Sequence, residues 1–133
     1  MSRYAYPAII SPEENNLFSV VFPDLESCYT SGEGLQEALV MAEDVLAFSL
    51  YELEKNHKPI PTPSTELSLT DYPEGSFVNY VACDTLEYQK MNNNKAVKKT
   101  LSIPEWLNEY AIAAGLNFSQ ILQEALKAKL GVN

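Results

Sequence analysis

The sequence predicts an α+β protein that consists of a βββαβ module followed by a shorter βαα unit. Strand-like segments with alternating apolar side chains precede and follow one long helix pattern, in which apolar residues recur at spacings of three and four. An asparagine-rich segment then separates this module from a strand, a proline and two short amphipathic helices. The predicted boundaries are residues 1–90 for the first domain, 91–96 for a linker and 97–133 for the second domain.

The first module begins with two strands, residues 4–11 and 17–22, which a turn-forming cluster joins into a hairpin. Pro7 suggests an edge position or a bulge near the start of the first strand, because proline cannot donate a hydrogen bond to a sheet. A short third strand, residues 27–30, is predicted to end at residues 31–34, which contain two glycines.

A helix of about five turns over residues 35–53 is the clearest pattern in this module, with apolar residues along one face and acidic residues mostly elsewhere. Gly34 takes the N-cap position with Glu37 three residues later, as in a capping box that lacks the Ser or Thr side chain. The proline-rich residues 59–63 end the helix, and residues 77–86 form a final strand.

The second unit opens with a short strand, residues 98–103, whose two faces differ in polarity. The apolar face carries Leu101 and Ile103, and the polar face carries Lys98, Thr100 and Ser102. Pro104 suits the first position of a helix that Gly115 ends, and Asn117 is a good N-cap for a second amphipathic helix. Because so short a unit cannot build an adequate core alone, we expect it to pair with a second copy.

This order of elements resembles the ribbon-helix-helix DNA-binding proteins. The resemblance is carried by residues 100–104, the turn at residues 115–117 and the apolar pattern of the helices. It implies that two chains pair their strands into a ribbon that lies in the major groove of operator DNA. The DNA contacts that it implies are Lys98, Lys99, Thr100 and Ser102 on the ribbon, and Asn117 and Phe118 beside a phosphate. Many members carry arginine where this chain has Phe118, which removes one possible phosphate contact.

A second resemblance, to the HicB antitoxin family, covers nearly the whole chain. The matching segments are residues 6–10, 22–25, 28–32, 35–39, 59–64, 110–111 and 115–119. The departures are Glu26-Ser27 in place of Pro-Gly, and Gly34 in place of Ser or Thr. The resemblance implies a partly degraded RNase H-like N-terminal domain without catalytic function, which blocks a HicA-like toxin, a small basic ribonuclease that cuts mRNA. It also implies a C-terminal domain that represses the toxin–antitoxin operon.

Charge is unevenly divided along the chain. The net charge is −9, but residues 1–88 hold 3 Lys+Arg against 15 Asp+Glu, a balance of −12, whereas residues 89–133 hold 6 against 3, a balance of +3. An acidic module attracts a basic protein, and a basic tail can approach DNA. The candidate toxin contacts, around the strand-to-helix region, are Asp24, Glu26, Glu33 and Glu37. The alternative for each is a solvated charge that serves solubility.

Catalytic and metal chemistry have little support. The candidate metal carboxylates of a vestigial nuclease are Asp24, Glu26, Glu43 and Asp44. Glu43 and Asp44 are adjacent on a helix and diverge by about 100°, so no converging set can be argued. Cys28 and Cys83 are far apart, and the single histidine, His57, suits a helix C-terminus. We therefore expect two free thiols, no metal, no cofactor and no enzymatic activity.

The leading prediction is a cytoplasmic antitoxin that binds a HicA-like toxin and operator DNA, forms a homodimer or a higher oligomer, and does not enter membranes. No apolar run approaches the roughly 18 residues that a membrane span needs. The alternatives are a stand-alone transcriptional regulator, whose first domain senses a small ligand or only packs, and a vestigial metal nuclease. From periodicity alone, the second unit could also be a simple dimerisation or packing element.

Overall fold

A computed structural model describes residues 2–133. It shows a mixed α/β chain with an antiparallel sheet. The chain divides into two compact units, Met1–Lys95 and Ala96–Asn133. The elements of the first unit are β1 (Arg3–Pro12), β2 (Leu17–Val21), β3 (Tyr29–Glu33), α1 (Leu35–Lys55), β4 (Phe77–Asp84) and α2 (Thr85–Asn92). Those of the second unit are α3 (Glu105–Ala113) and α4 (Phe118–Leu130).

The sheet has the order β3-β2-β1-β4, and every neighbouring pair is antiparallel. β1 and β2 form the predicted hairpin through a short 3-10 turn. Asn15 and Asn16 in this turn have φ values of 62° and 60°, a left-handed conformation that asparagine tolerates better than most residues. The chain then adds β3 on the outer side of β2, and β4 returns to pair with β1.

Pro7 does not lie on an edge strand, because β1 is inside the sheet, and the unbroken register with β4 excludes a bulge. Pro7 is opposite Tyr80 on β4, whereas pairing with β2 begins only at Ile9. At Pro7 the strand is therefore paired on one side alone, and the missing N–H can face the unpaired side.

Helix α1 covers one face of the sheet and begins where the sequence predicts. The core residues that it shares with the sheet include Tyr6, Ala8, Ile10, Val20, Phe22, Ala38, Ala42, Leu46 and Leu50. Gly34 is the N-cap and supplies no side-chain hydrogen bond. The Glu37 carboxylate instead accepts a hydrogen bond from the backbone N–H of Glu33, which stabilises the start of the helix in the manner of a capping box.

Strand β3 continues through Gly32 to Glu33, so the predicted break at residues 31–34 is placed too early. Gly32 is buried against the first turn of α1, and a Cβ atom there would lie 2.4 Å from the backbone nitrogen of Ala38. The glycine is therefore present because strand and helix approach closely, which is a common reason for glycine inside a strand.

Helix α2 is an element that the sequence prediction missed. β4 ends at Asp84, two residues before the predicted end, and Asp84 caps α2 by accepting hydrogen bonds from the N–H groups of Leu86 and Glu87 at 2.9 and 3.3 Å. The first unit is therefore βββαβα. The predicted linker also begins too early, since Met91 and Asn92 belong to α2.

In the second unit, Pro104 is the N-cap of α3, one position earlier than predicted, and Gly115 has the left-handed φ of 70° expected after a helix. The Asn117 side chain accepts a hydrogen bond from the N–H of Gln120 at 3.0 Å and caps α4 as predicted. Residues 98–103 form no strand in this single chain. A strand needs a pairing partner, so the ribbon stays a prediction about a second copy.

Candidate functional site

The four acidic residues predicted as protein contacts do not form one cluster. Glu33 and Glu37 lie at the start of α1, whereas Asp24 and Glu26 line a cavity of about 650 Å³ beside Glu52, near the other end of this helix. Glu37 and Glu52 are roughly 20 Å apart along the helix axis, given its rise of 1.5 Å per residue. These residues therefore form two separate acidic regions on the first unit.

The carboxylate of Asp24 forms hydrogen bonds within the first unit. Its carboxylate accepts hydrogen bonds from both the hydroxyl and the backbone N–H of Ser64, the latter at 2.8 Å. The Tyr80 hydroxyl donates to the Ser64 carbonyl oxygen at 3.2 Å. Residues 64–76, which we call the strap, are tied at their other end by a hydrogen bond of 2.7 Å from the Ser76 hydroxyl to that of Ser11. Asp24 therefore fixes the start of the strap.

The other three predicted protein contacts differ in how free their charges are. Glu37 is exposed, but its carboxylate caps the backbone of Glu33. Glu26 and Glu33 are also exposed, and within the described residues neither side chain forms an ion pair. Of the four, Glu26 and Glu33 are thus the better placed to meet a cationic partner.

A groove between α1 and α2, which we call the α1–α2 groove, is a second candidate surface that the sequence prediction missed. Its volume is about 450 Å³. Its acidic lining consists of Glu43, Asp44, Asp84 and Glu87, and its main apolar lining consists of Val40, Ala47, Tyr88 and Met91. The Tyr88 ring also contacts the rings of Phe48 and Tyr51, with centroids 6.3 and 5.8 Å away, which joins α2 to α1.

The structure locates the candidate metal ligands and the two thiols. Within residues 2–133, no group of three or more His, Cys, Asp or Glu side chains is arranged to hold a metal ion. Cys28 and Cys83 are buried free thiols, as predicted. Burial raises the pKa of Cys28, and burial together with nearby Glu43 and Asp84 raises the pKa of Cys83 to about 12. Both are therefore protonated at neutral pH and unsuited to act as nucleophiles.

The predicted DNA contacts of the second unit are all accessible. Lys98, Lys99, Thr100 and Ser102 are exposed. Asn117 is exposed and caps α4, and Phe118 is 44% exposed. Neither α3 nor α4 contains a buried residue, although both carry large apolar side chains such as Trp106, which is 66% exposed. So many exposed apolar side chains on two short helices indicate a surface that another molecule covers.

None of the helices in the described part of the chain combines the length and apolar character that a membrane span requires.

Comparison with known proteins places these features in a family context. Residues 6–126 match the model of the HicB-like antitoxin of bacterial toxin-antitoxin systems. Antitoxin HicB 2 of Photorhabdus laumondii subsp. laumondii is 36% identical over 61 residues, which cover 46% of this chain and 43% of that protein. The match thus spans less than half the length of this curated relative.

Two solved structures resemble the whole chain. A chain of a toxin-antitoxin complex from Streptococcus pneumoniae has 32% sequence identity and a TM-score of 0.62, covering 96% of this chain and 99% of that one. The crystal structure of antitoxin HicB3 has 24% identity and a TM-score of 0.52, covering 95% and 97%. At that identity the second likeness concerns the fold alone.

Proposed function

The chain belongs to the family of HicB-like antitoxins of bacterial toxin-antitoxin systems, a family of antitoxins and not of enzymes, and we propose that it neutralises a HicA-like, mRNA-cleaving ribonuclease and represses its own operon. The observation that carries this proposal is the family match over residues 6–126, which includes parts of both units. The first unit binds the toxin, and the second unit binds operator DNA as a homodimer. Pairs of dimers can form a higher oligomer.

The charge of the first unit supports its role as the toxin-binding part. Residues 1–95 contain 5 Lys+Arg and 15 Asp+Glu, a balance of −10. A ribonuclease must present positive charge to bind the phosphates of RNA. Opposite charges speed the encounter of the two proteins and disfavour unsuitable partners. The family resemblance implies that this unit is a partly degraded RNase H-like domain that inhibits and does not cleave.

The second unit supports a ribbon-helix-helix dimer. Its two helices have no buried residue, so a second copy supplies the missing core by packing against their apolar side chains. The same association pairs residues 98–103 of the two chains, which satisfies their backbone groups and presents Lys98, Thr100 and Ser102 of both chains to the major groove. The start of α4, with Asn117 and Phe118, then approaches a phosphate.

We expect the chain to inhibit the ribonuclease encoded in its own operon. Adding the purified chain should abolish RNA cleavage at about one equivalent of binding sites, and co-expression should restore growth, because the toxin surface that contacts RNA becomes covered. RNA cleavage with and without the chain, together with co-purification, measures this. The matched control is Lys98→Ala, which should inhibit fully because it alters only the DNA contact. Undiminished cleavage in excess chain would favour a stand-alone regulator.

Operator binding should divide the ribbon residues into two classes. Lys98→Ala and Lys99→Ala should weaken binding to every duplex and reduce the salt slope by about one for each phosphate that is no longer neutralised. Thr100→Ala and Ser102→Ala should lower the preference for operator over random DNA by about tenfold, since side chains on the ribbon read base edges. Fluorescence anisotropy at several salt concentrations measures both effects.

Lys55→Ala, a lysine at the end of α1, is the control and should leave DNA affinity unchanged. Wild-type affinity and salt slope in Lys98→Ala would refute the ribbon assignment.

A further inference from the structure

The α1–α2 groove has an apolar floor that is open to solvent. Val40 is 62% exposed and Met91 is 81% exposed, and both line the groove with the half-buried ring of Tyr88. Methionine side chains adapt their shape to a partner, and both methionine and aromatic side chains are favoured at protein-binding surfaces. A single exposed apolar side chain is normal on a protein surface. Here several line the same groove, and such a group marks an interaction site.

The acidic rim of this groove is only partly neutralised. Asp84 pairs with Arg3 at 3.4 Å, and Glu87 pairs with Lys90 at 3.3 Å. Glu43 and Asp44 are exposed and form no ion pair with any described residue. Burial raises the pKa of Tyr88 and the nearby Asp44 carboxylate raises it further, so the charge of Asp44 acts on the groove lining. The groove thus contains two negative charges without a cationic partner.

A metal ion does not account for these charges, since the described residues contain no metal-type cluster of acidic, cysteine or histidine side chains. An occupant that matches both the acidic rim and the apolar floor combines positive charge with apolar surface. A basic amphipathic segment of a protein has this combination, because its lysine or arginine heads can reach the rim while their neighbours contact the floor.

We propose that the α1–α2 groove receives a basic amphipathic segment of the toxin, an inference that rests on the proposed function. An apolar side chain of this segment packs on Val40, Tyr88 and Met91. Lysine or arginine side chains pair with Glu43 and Asp44. The toxin supplies the occupant because an RNA-cleaving protein carries the required positive charge, which is complementary to this unit of the chain.

The test compares two double charge reversals in the full chain, with the ribonuclease of the same operon as the probe. Glu43→Lys/Asp44→Lys reverses the groove, and Glu66→Lys/Glu74→Lys makes the same change in net charge at exposed strap residues. The groove variant should raise the Kd by at least about tenfold, and the strap variant by less than about threefold. Circular dichroism establishes that both variants are folded.

A second variant separates contact from long-range attraction. Met91→Gln leaves the charge unchanged and should accelerate toxin dissociation by roughly fivefold with little effect on association, because it removes apolar contact in the bound state. Binding kinetics by surface plasmon resonance measure both rates.

Three outcomes overturn the proposal. Equal weakening by the two charge reversals would mean that only general attraction is involved. Tight binding by both reversals would mean that the toxin docks elsewhere, which leaves the antitoxin function intact. Failure of the wild-type chain to bind the toxin would refute the antitoxin function itself, and this inference with it.

Discussion

Gly32→Ala is expected to destabilise the first unit severely. The new Cβ atom would lie 2.4 and 2.6 Å from the nitrogen and Cα of Ala38 and 2.8 Å from the carbonyl carbon of Glu37. All three are backbone atoms of α1, so the contact cannot be relieved by a side-chain rotation. Overpacking typically costs about 1–3 kcal/mol, and here we expect about 3 kcal/mol or more because strand and helix have to separate. That is a large fraction of the stability of an ordinary domain.

Urea denaturation of the full chain, followed by far-UV circular dichroism, measures this effect. The Gly32→Ala variant should unfold at a clearly lower urea concentration or accumulate in the insoluble fraction. Ser31→Ala is the matched control, since Ser31 is the exposed neighbour in the same strand and its replacement should leave the midpoint nearly unchanged. A wild-type midpoint for Gly32→Ala would show that β3 and α1 can accommodate a Cβ atom without separating, against the 2.4 Å approach to Ala38.

Elements whose signals come from neighbouring residues were predicted well. The 3.6-residue period over residues 35–53 predicts the helix found at Leu35–Lys55, and Glu37 marks its beginning through a bond to the adjacent backbone. The alternation in residues 17–22 likewise predicts β2, whose inward residue Val20 is buried, as is Phe22 directly after the strand. Local periodicity is sufficient where one face of an element is buried and the other is not.

The errors in the fold prediction arise where a distant contact changes the meaning of a local signal. Gly32 resembles a strand breaker, but its small size is required by α1, which the strand contacts only after folding. Pro7 suggests an edge strand, but it lies in the central strand β1. It is tolerated there because the pairing of β1 with β2 begins only at Ile9, so Pro7 has a neighbouring strand on one side alone. α2 had a local signal, since Asp84 and Glu87 form the start of a capped helix, but the strand-like residues before Asp84 concealed it.

The candidate site was predicted less completely for the same reason. The sequence around Asp24 shows no partner for its carboxylate. In the folded chain this carboxylate accepts a hydrogen bond from the backbone N–H of Ser64, which is 40 residues away. The α1–α2 groove depends on α2, so a prediction without that helix could not bring Glu43 and Met91 to one surface. By contrast, the polar face of residues 98–103 follows from alternation alone, provided that a second chain supplies the partner strand.

Leu126→Asp is expected to keep the chain monomeric, which would prevent the proposed homodimer and with it the proposed operator binding. Leu126 is 51% exposed in the single chain and lies on the apolar side of α4, the side we expect the second copy to cover. Because Leu126 is already about half covered in the single chain, each copy would lose about 0.8–1.5 kcal/mol of leucine burial, so the dimer loses about 1.5–3 kcal/mol, and the cost of burying a carboxylate in each copy adds several kcal/mol. The dimer Kd should therefore rise by roughly 10² to 10⁴.

Light scattering after size exclusion measures the mass of the variant, and anisotropy with operator DNA measures the functional loss. Gln120→Asp is the matched control because it introduces the same charge into the same helix, about 120° around the axis from Leu126, and should remain dimeric. DNA affinity should fall together with dimerisation, since one strand cannot form a ribbon and a single chain offers only half of the contacts. A Leu126→Asp chain that stays dimeric and binds the operator normally would place the dimer contact outside α4, and the pairing of residues 98–103 would then lose its physical basis.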